Sequence, residues 1–215
     1  MERTNKDSDK DLVIIVDDDA TMRDALTDLL RSVGIESLVF SSTRDLLSAT
    51  IPDRPGCMVL DVRLPGTSGL DLQAQLNVSG NHLPIVFLTG HGDIAMTVRA
   101  MKAGAVDFLT KPIRDQDMLD AVFAAIERDR VRRSAEVDAR EVAALAAKLT
   151  PREREVACAV TRGLMNKQIA YELGITEITV KLHRGNVMRK LQAHSVADFL
   201  RKAQLLGVQL TASQS

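Results

Sequence analysis

Length and charge restrict the architecture of this chain. The sequence has 215 residues and a net charge of −1, and it exceeds the usual size of one domain, roughly 100 to 150 residues, so we expect two domains. Residues 1–125 hold 12 basic and 19 acidic residues, a net charge of −7, whereas residues 150–206 hold 10 and 5, a net charge of +5. This asymmetry predicts that only the C-terminal part binds a polyanion.

The apolar segments and the cysteines exclude other classes of protein. The first ten residues lack the apolar centre of a signal peptide, and no later apolar stretch approaches the roughly 18 residues that a membrane span needs. We therefore expect a cytoplasmic protein with no membrane partner. Cys57 and Cys158 fall on apolar elements of different predicted domains, which favours two small core side chains over a disulfide or a metal pair.

In the N-terminal half, short apolar runs alternate with amphipathic stretches, a pattern typical of βα units around a buried parallel sheet. We predict helix N-caps at Asp19, Ser41 and Asp93 and left-handed helix ends at Gly34 and Gly104. The five predicted strands are residues 12–16, 37–40, 57–60, 84–88 and 106–109.

Polar side chains follow these strands where they end. Asp17 and Asp18 follow the first strand, Asp61 the third, Thr89 the fourth and Lys111 the fifth. Because parallel strands place their carboxyl ends at one edge, we expect these residues to gather where open α/β sheets bind ligands. Clustered carboxylates repel by about 4 kcal/mol per pair at about 4 Å, with an effective dielectric near 20. The site therefore implies a divalent cation in addition to Lys111.

These residues resemble the receiver domain of bacterial two-component response regulators over residues 11–126. The resemblance rests on the acidic pair, the run Asp61-Val62-Arg63-Leu64-Pro65-Gly66, Thr89, and Phe108 followed by Lys111-Pro112. It implies an α/β, doubly wound, flavodoxin-like domain with a five-stranded parallel sheet of order 2-1-3-4-5. It also implies that Asp61 is the phosphoacceptor, a nucleophilic carboxylate that takes its phosphoryl group from a sensor histidine kinase.

The same resemblance implies roles for the surrounding groups. Mg²⁺ is the expected cofactor, and its oxygen ligands are Asp17, Asp18, Asp61 and the backbone carbonyl of Arg63. Lys111 would pair with the phosphoryl oxygens, and its peptide bond to Pro112 would be cis. The Thr89 hydroxyl would move onto the phosphoryl group, and Phe108 would enter the vacated space as the switch.

Two alternatives stay open at this point. Asp61 could be the covalent nucleophile of a haloacid-dehalogenase-like phosphatase, although that motif places a second Asp where this chain has Arg63. The first domain could also serve protein contacts alone, independently of phosphate. Taken singly, residues 17–19 are typical of a solvated turn, Thr89 is typical of a strand end, and Phe108 is typical of a hydrophobic core. Their joint position at the ends of four strands favours the phosphoacceptor pocket.

The fifth helix is predicted to continue as a helical linker over residues 127–148. No Gly or Pro interrupts the chain between Ile113 and Pro151, and the stretch is rich in strong helix formers. A three-four spacing gives a weak coiled-coil signal, and an amphipathic connector that packs on its own domains is favoured. The residues with this spacing are Ala135, Asp138, Val142, Leu145 and Leu149.

A second, all-α domain of four helices is predicted over residues 149–208. Thr150 and Glu153 around Pro151 form the signature of a capped helix start, and the helices are expected at 155–161, 166–173, 176–191 and from Ser195 to near 207. The turn Gly174-Ile175-Thr176 between the second and third helices is typical of a helix-turn-helix motif. Because Met165 precedes the second helix, we expect Asn166 to cap it.

Residues 149–153, 163–170 and 179–184 resemble the LuxR-type DNA-binding domain, which the chain matches over about residues 145–206. In the third helix of this domain, Val180, Val187, Met188 and Leu191 recur at core spacing. The opposite side would enter the major groove of DNA. It carries Ile178, Lys181, Leu182, Gly185 and Arg189.

The resemblance implies that Lys181 donates to guanine and that Leu182 touches a thymine methyl. Gly185 departs from the longer residue usual there and cannot read a base with a side chain. His183 suits a core position and a phosphate contact equally. The expected phosphate contacts are Asn166, Lys167, Thr176, Thr179, Arg184 and Lys190.

Receiver, helical linker and this second domain together resemble the FixJ/NarL class of response regulators. The resemblance implies a transcriptional regulator rather than an enzyme. Phosphorylation would make residues 94–108 a homodimerisation face or release the DNA-binding domain, and the protein would bind promoter DNA and activate RNA polymerase. Within the class, the sequence is similar to a regulator of bacterial styrene catabolism, although no residue identifies the inducer.

Overall fold

The computed structural model describes residues 10–90 and 94–206. The chain divides into two compact units, Met1–Arg133 and Ser134–Ser215. They are called the first and the second unit below. No helix within the described ranges is long and apolar enough to cross a membrane.

The first unit alternates strands and helices. Its parallel sheet has the order β2-β1-β3-β4-β5, which confirms the predicted doubly wound fold. The elements are β1 Leu12–Val16, α1 Ala20–Ser32, β2 Glu36–Phe40, α2 Thr43–Ser48, β3 Gly56–Asp61, α3 Gly69–Val78, β4 Ile85–Thr89, α4 Ile94–Lys102, β5 Asp107–Thr110 and the start of α5 Asp115–Ala146.

The sheet is buried on both faces, because every residue of β1, β3 and β4 is buried. Alternate side chains of these strands point to opposite sides, and each side packs into its own apolar cluster. One cluster contains Ile15 and Val59 with α1 and α5. The other contains Leu60 and Phe87 with α3 and α4. This packing fixes the positions of the strand ends that form the site.

The local signals for helix ends are mostly confirmed. The Asp19 side chain accepts from the Thr21 N–H at the start of α1, and Gly34 and Gly104 have φ values of 79° and 95°. The predicted cap at Ser41 is wrong, because Ser42 occupies the cap position of α2. The Ser41 hydroxyl instead donates to Asp45. The predicted cap at Asp93 lies outside the described residues.

A buried carboxylate holds α5 against the sheet at the edge opposite the acidic pocket. Asp129 is fully buried and accepts from the backbone N–H of Gly56, at the start of β3, at 3.1 Å. Arg132 and Arg133 donate to the same carboxylate at 2.6 Å each. The charge of Asp129 is therefore fully paired, which compensates for its burial.

The second unit begins within α5 and is entirely helical where it is described. Its further helices are α6 Pro151–Thr161, α7 Asn166–Leu173, α8 Glu177–Lys190 and α9 Val196–Leu206. The predicted capping box between Thr150 and Glu153 is present. Helix α6 begins directly after Thr150, at Pro151, four residues before the expected start at residue 155. Gly174 ends α7 with a φ of 63°, as the helix-turn-helix signature predicts.

The end of α5 and the residues that directly follow it belong to the core of the second unit. Val142 and Leu149 are buried in one cluster with Val187, Leu191 and Phe199. Leu145 packs against the same cluster. Three residues of the weak coiled-coil pattern therefore pack within their own chain, in agreement with the favoured connector. Both cysteines are free, with Cys57 buried and Cys158 partly buried.

Candidate functional site

The strand register brings the predicted acidic residues together. Asp17 directly follows β1 and Asp61 ends β3, and the pairing of Val16 with Leu60 places these two ends side by side. One carboxylate oxygen from each of Asp17, Asp18 and Asp61 lies within 4.8 Å of the other two. The three carboxylates that the sequence places at the strand ends therefore lie together in the structure.

Lys111 is the cation that the structure places in this pocket. Its ammonium donates to Asp17 Oδ2 at 2.6 Å and to Asp61 Oδ2 at 3.2 Å. Asp17 and Asp61 are buried, whereas Asp18 is exposed. Lys111 follows β5, and its N–H donates to the Thr89 carbonyl at 2.8 Å. The peptide bond from Lys111 to the next residue is cis, as the resemblance implied.

The electrostatics of the pocket are unbalanced towards negative charge. Burial raises the pKa of Asp61, and the nearby Asp17 raises it further, although the ammonium of Lys111 and the N–H of Arg63 act in the opposite direction. Burial alone would lower the pKa of Lys111, but its bonds to the two carboxylates raise it overall. The Lys111 ammonium bonds to two of the three clustered carboxylates, Asp17 and Asp61, so a further cation would relieve the repulsion that remains.

The donor set of the pocket suits a hard cation. Carboxylate oxygens are the ligands that Mg²⁺ prefers, and Mg²⁺ usually retains several waters, which the exposed Asp18 side of the pocket permits. The Arg63 N–H donates to Asp61 Oδ1 at 3.3 Å, so the backbone of Arg63 passes directly beside the carboxylate cluster. Asp17, Asp18 and Asp61 fit the role of metal ligands that the sequence predicts.

Two residues that support the pocket were not predicted from the sequence. Arg23 donates from Nη1 to the carbonyl oxygen of Asp17 at 2.7 Å and steadies the turn after β1. Gly69 begins α3 so close to β3 that a Cβ would lie 2.4 Å from the Asp61 carbonyl oxygen. Only glycine allows this close approach. The sequence signal that could have identified Gly69 is its place three residues after Gly66.

Thr89 and Phe108 lie on the paired strands β4 and β5. Thr89 ends β4 and is fully buried, and it pairs with Thr110 of β5. The ring of Phe108 is partly buried, with its centroid 6.1 Å from that of Phe87. On α4, the side chain of Ile94 is 85% exposed. Val98 and Met101 of the same helix are also exposed, so α4 has an uncovered apolar surface.

Helix α8 of the second unit has the two faces that its spacing predicts. Val180, Val187 and Leu191 are buried, and Met188 is partly buried against them. The opposite face is exposed. It consists of Ile178, Lys181, Leu182, Gly185 and Arg189.

The candidate phosphate contacts divide into two groups. Lys167 and Thr176 are exposed and Thr179 is partly buried, and the two threonine hydroxyls are 2.9 Å apart at the start of α8. Lys190 instead pairs with the buried Glu153 of the α6 capping box at 2.6 Å. This ion pair competes with a phosphate contact by Lys190.

Asn166 and Arg184 are bonded to each other, so their roles are coupled. Arg184 Nη1 donates to Asn166 Oδ1 at 2.7 Å, which links α8 to α7. The expectation that Asn166 caps α7 is wrong, because Met165 occupies the cap position. The Met165 N–H donates to the side chain of Gln168 at 2.8 Å. His183 is partly buried, and its Nδ1 has no hydrogen-bond partner among the described residues.

The fold and the pocket define a class of protein in which a phosphoacceptor receiver domain precedes a helix-turn-helix domain. The family model "Response regulator receiver domain" matches residues 13–123, and "Bacterial regulatory proteins, luxR family" matches residues 147–203. The chain belongs to the family of two-component response regulators with a LuxR-type DNA-binding domain. It is a transcriptional regulator and not an enzyme, which removes the phosphatase alternative.

Relatives match nearly the whole chain. Nodulation protein W of Bradyrhizobium diazoefficiens is 56% identical over 201 residues, which cover 94% of this chain and 88% of the relative. Response regulator protein TodT of Pseudomonas putida is 45% identical over 195 residues, covering 91% and 86%. The solved structure of response regulator StyR is 47% identical with a TM-score of 0.76, covering 91% of this chain and 98% of StyR.

Proposed function

We propose that Asp61 accepts a phosphoryl group from the phosphohistidine of a sensor kinase and that this modification controls DNA binding by the second unit. The observation that carries the proposal is the cluster of Asp17, Asp18, Asp61 and Lys111 at the carboxyl edge of the sheet. In the transfer, a carboxylate oxygen of Asp61 bonds to phosphorus as the bond from phosphorus to the histidine nitrogen breaks. The released imidazole takes a proton from water.

The residues of the pocket divide the work of this transfer. Asp17, Asp18, Asp61 and the Arg63 carbonyl would hold Mg²⁺, which supplies positive charge to the phosphoryl oxygens. The Lys111 ammonium is within reach of Asp61 and offers a second positive charge as the acyl phosphate forms. Both charges offset the repulsion between an incoming phosphate and the existing carboxylates.

The switch that we propose uses Thr89 and Phe108. The Thr89 hydroxyl would move onto the phosphoryl group, and the Phe108 ring would turn into the space that Thr89 leaves. The surface formed by α4 and β5 (residues 94–108) would then become a homodimer interface. The exposed apolar side chains of α4 support this assignment. A hundredfold change between the two states needs phosphorylation to favour one of them by roughly 2.7 kcal/mol.

The DNA-binding part of the proposal rests on α8. Its exposed face would enter the major groove, with Lys181 donating to guanine and Leu182 touching a thymine methyl. Gly185 lies on the same face. The phosphate contacts that we propose are Asn166, Lys167, Thr176, Thr179, Arg184 and Lys190. We set the boundaries of the receiver, linker and DNA-binding domain at residues 11–126, 127–148 and 149–208.

The cellular setting that we propose is the cytoplasm, where the dimer binds promoter DNA and activates RNA polymerase. Similarity to StyR and TodT supports genes of aromatic catabolism, including styrene, as the targets. The 56% identity to Nodulation protein W favours a second candidate, a nodulation-type regulon. Mapping of the promoters that the phosphorylated protein occupies decides between these two sets of genes.

The experiment that tests the phosphoacceptor is incubation of the full-length protein with acetyl phosphate and Mg²⁺. We expect the intact mass to rise by one phosphoryl group, and we expect neither EDTA-treated protein nor the Asp61→Asn variant to gain it. The exposed Asp71→Asn substitution on α3 is the matched control and should be phosphorylated normally. A phosphoryl group on the Asp61→Asn variant would place the acceptor elsewhere.

A further inference from the structure

Two large apolar side chains protrude from α8 without serving the fold. Ile178 is 80% exposed and Leu182 is 63% exposed, and neither belongs to an apolar cluster of the second unit. They lie four residues apart, so they are neighbours on one face of the helix. Isoleucine is β-branched and lowers helix propensity. The stability of the fold therefore gives no reason for this pair.

Gly185 completes the same face and is equally unexplained by the fold. A Cβ built on Gly185 would meet no atom within 4 Å, and its φ is not among the positive values. A glycine inside a helix lowers stability relative to alanine. Along this face of α8, the exposed apolar side chains of Ile178 and Leu182 are thus followed by Gly185, which has no side chain.

The charge around this face indicates which partner it meets. Lys181 lies between the two apolar side chains and is exposed, as is Arg189 at the end of the helix. Residues 150–206 carry a net charge of +5, which favours a polyanion. In the major groove of DNA, an apolar side chain can distinguish one base from the others only through the C5 methyl group of thymine.

We propose that Ile178 and Leu182 form a methyl-reading pair that selects two thymines in each half-site, and that the base pair opposite Gly185 is not read. The inference rests on the proposed entry of α8 into the major groove. Four residues of helix rise about 6 Å, and stacked bases are about 3.4 Å apart. The two thymines are therefore expected about two base pairs apart. Ile178 thereby becomes a specificity-determining residue in addition to those predicted from sequence.

The test replaces single methyl groups on the DNA. Duplexes are first selected by the phosphorylated full-length protein from a random-sequence library, and each thymine of the consensus is then replaced by deoxyuridine. Deoxyuridine differs from thymidine only by the missing C5 methyl group. We expect about a fourfold loss of affinity at each of two thymines per half-site, the factor that corresponds to about 0.8 kcal/mol.

Protein variants show which side chain contacts each thymine methyl group. Ile178→Ala should abolish the deoxyuridine effect at one thymine and retain it at the other, and Leu182→Ala should show the reverse pattern. Leu205→Ala on α9 is a matched control that should keep both effects. Gly185→Ala should raise thermal stability, and Gly185→Gln should add a preference of about threefold or more at one base pair that the wild type does not discriminate.

The outcomes separate this inference from the proposed function. Specific binding that tolerates deoxyuridine at every position, or equal deoxyuridine penalties in both alanine variants, would overturn the methyl-reading pair alone. A consensus without thymines in its half-sites would do the same. Failure of the phosphorylated protein to select any sequence would overturn the proposed function, and this inference would fall with it.

Discussion

Substitution of Lys111 by methionine tests whether the acidic pocket is held together by one ammonium. Methionine keeps most of the length of the side chain but removes the group that donates to Asp17 and Asp61. Oxygens of these carboxylates lie within 4.8 Å of each other, where two charges repel by about 3 to 4 kcal/mol at an effective dielectric near 20. Loss of one partner from a buried ion pair costs about 3 to 5 kcal/mol.

We therefore expect Lys111→Met to lower the free energy of unfolding of the first unit by about 3 to 5 kcal/mol at pH 7 in EDTA. Burial and Asp17 raise the pKa of Asp61, and loss of the ammonium raises this pKa further. A carboxyl whose pKa is higher in the folded state binds its proton more tightly there, so stability returns as the pH falls through that folded-state pKa. Mg²⁺ should also reduce the deficit, because it binds only the folded pocket.

Urea titrations with and without Mg²⁺, at pH 7 and at lower pH, measure this effect. Far-UV circular dichroism follows both units, whereas fluorescence of the single tyrosine, Tyr171, reports only the second unit. The exposed Lys102→Met on α4 is the matched control, with an expected change within about 0.5 kcal/mol. If Lys111→Met unfolds like this control, or if its deficit responds to neither Mg²⁺ nor pH, the ammonium does not hold the pocket together.

Three further predictions concern groups outside the pocket. Asp129→Ala should destabilise the first unit by about 3 kcal/mol in urea titrations, and a loss below about 1 kcal/mol would contradict its role. Burial raises the Glu153 pKa, but the bonds from Lys190 and Thr150 together lower it overall, so Glu153→Gln should destabilise the second unit at pH 7; the difference from wild type should vanish below that pKa, and persistence there would count against the ion pair. Lys181→Ala should weaken specific DNA binding by about 1 to 3 kcal/mol in gel-shift titrations without affecting phosphorylation, and unchanged discrimination against scrambled DNA would exclude base contact.

The sequence predicted the features that depend on local patterns. Buried parallel strands read as short apolar runs, so β1 Leu12–Val16 was located to the residue and the other strands to within one residue at each end. The pocket followed from the strand ends, because topology alone brings Asp17, Asp61 and Lys111 to one edge. Thr150 and Gly174 marked helix ends through side-chain and backbone chemistry that acts within a few residues.

Outside the pocket, several side-chain contacts between distant residues could not be predicted from sequence. Asp129 lies in a highly charged helix, and its bond to Gly56 joins residues 73 positions apart. The pairing of Lys190 with Glu153 spans 37 positions, so a lysine predicted to reach phosphate is held inside its own unit. Asn166 appeared to be a helix cap, but Arg184 from the next helix binds its side chain. Tertiary partners override local preference at each of these positions.

If Asp61 controls the DNA-binding domain, the affinity for DNA depends on the phosphoryl group that Asp61 carries. Operator affinity of the full-length protein is measured with and without acetyl phosphate and Mg²⁺, in parallel for wild type and Asp61→Asn. We expect a large gain in affinity for wild type, up to about a hundredfold for a bias of about 2.7 kcal/mol, and none for the variant. Equal stimulation of both proteins would contradict it.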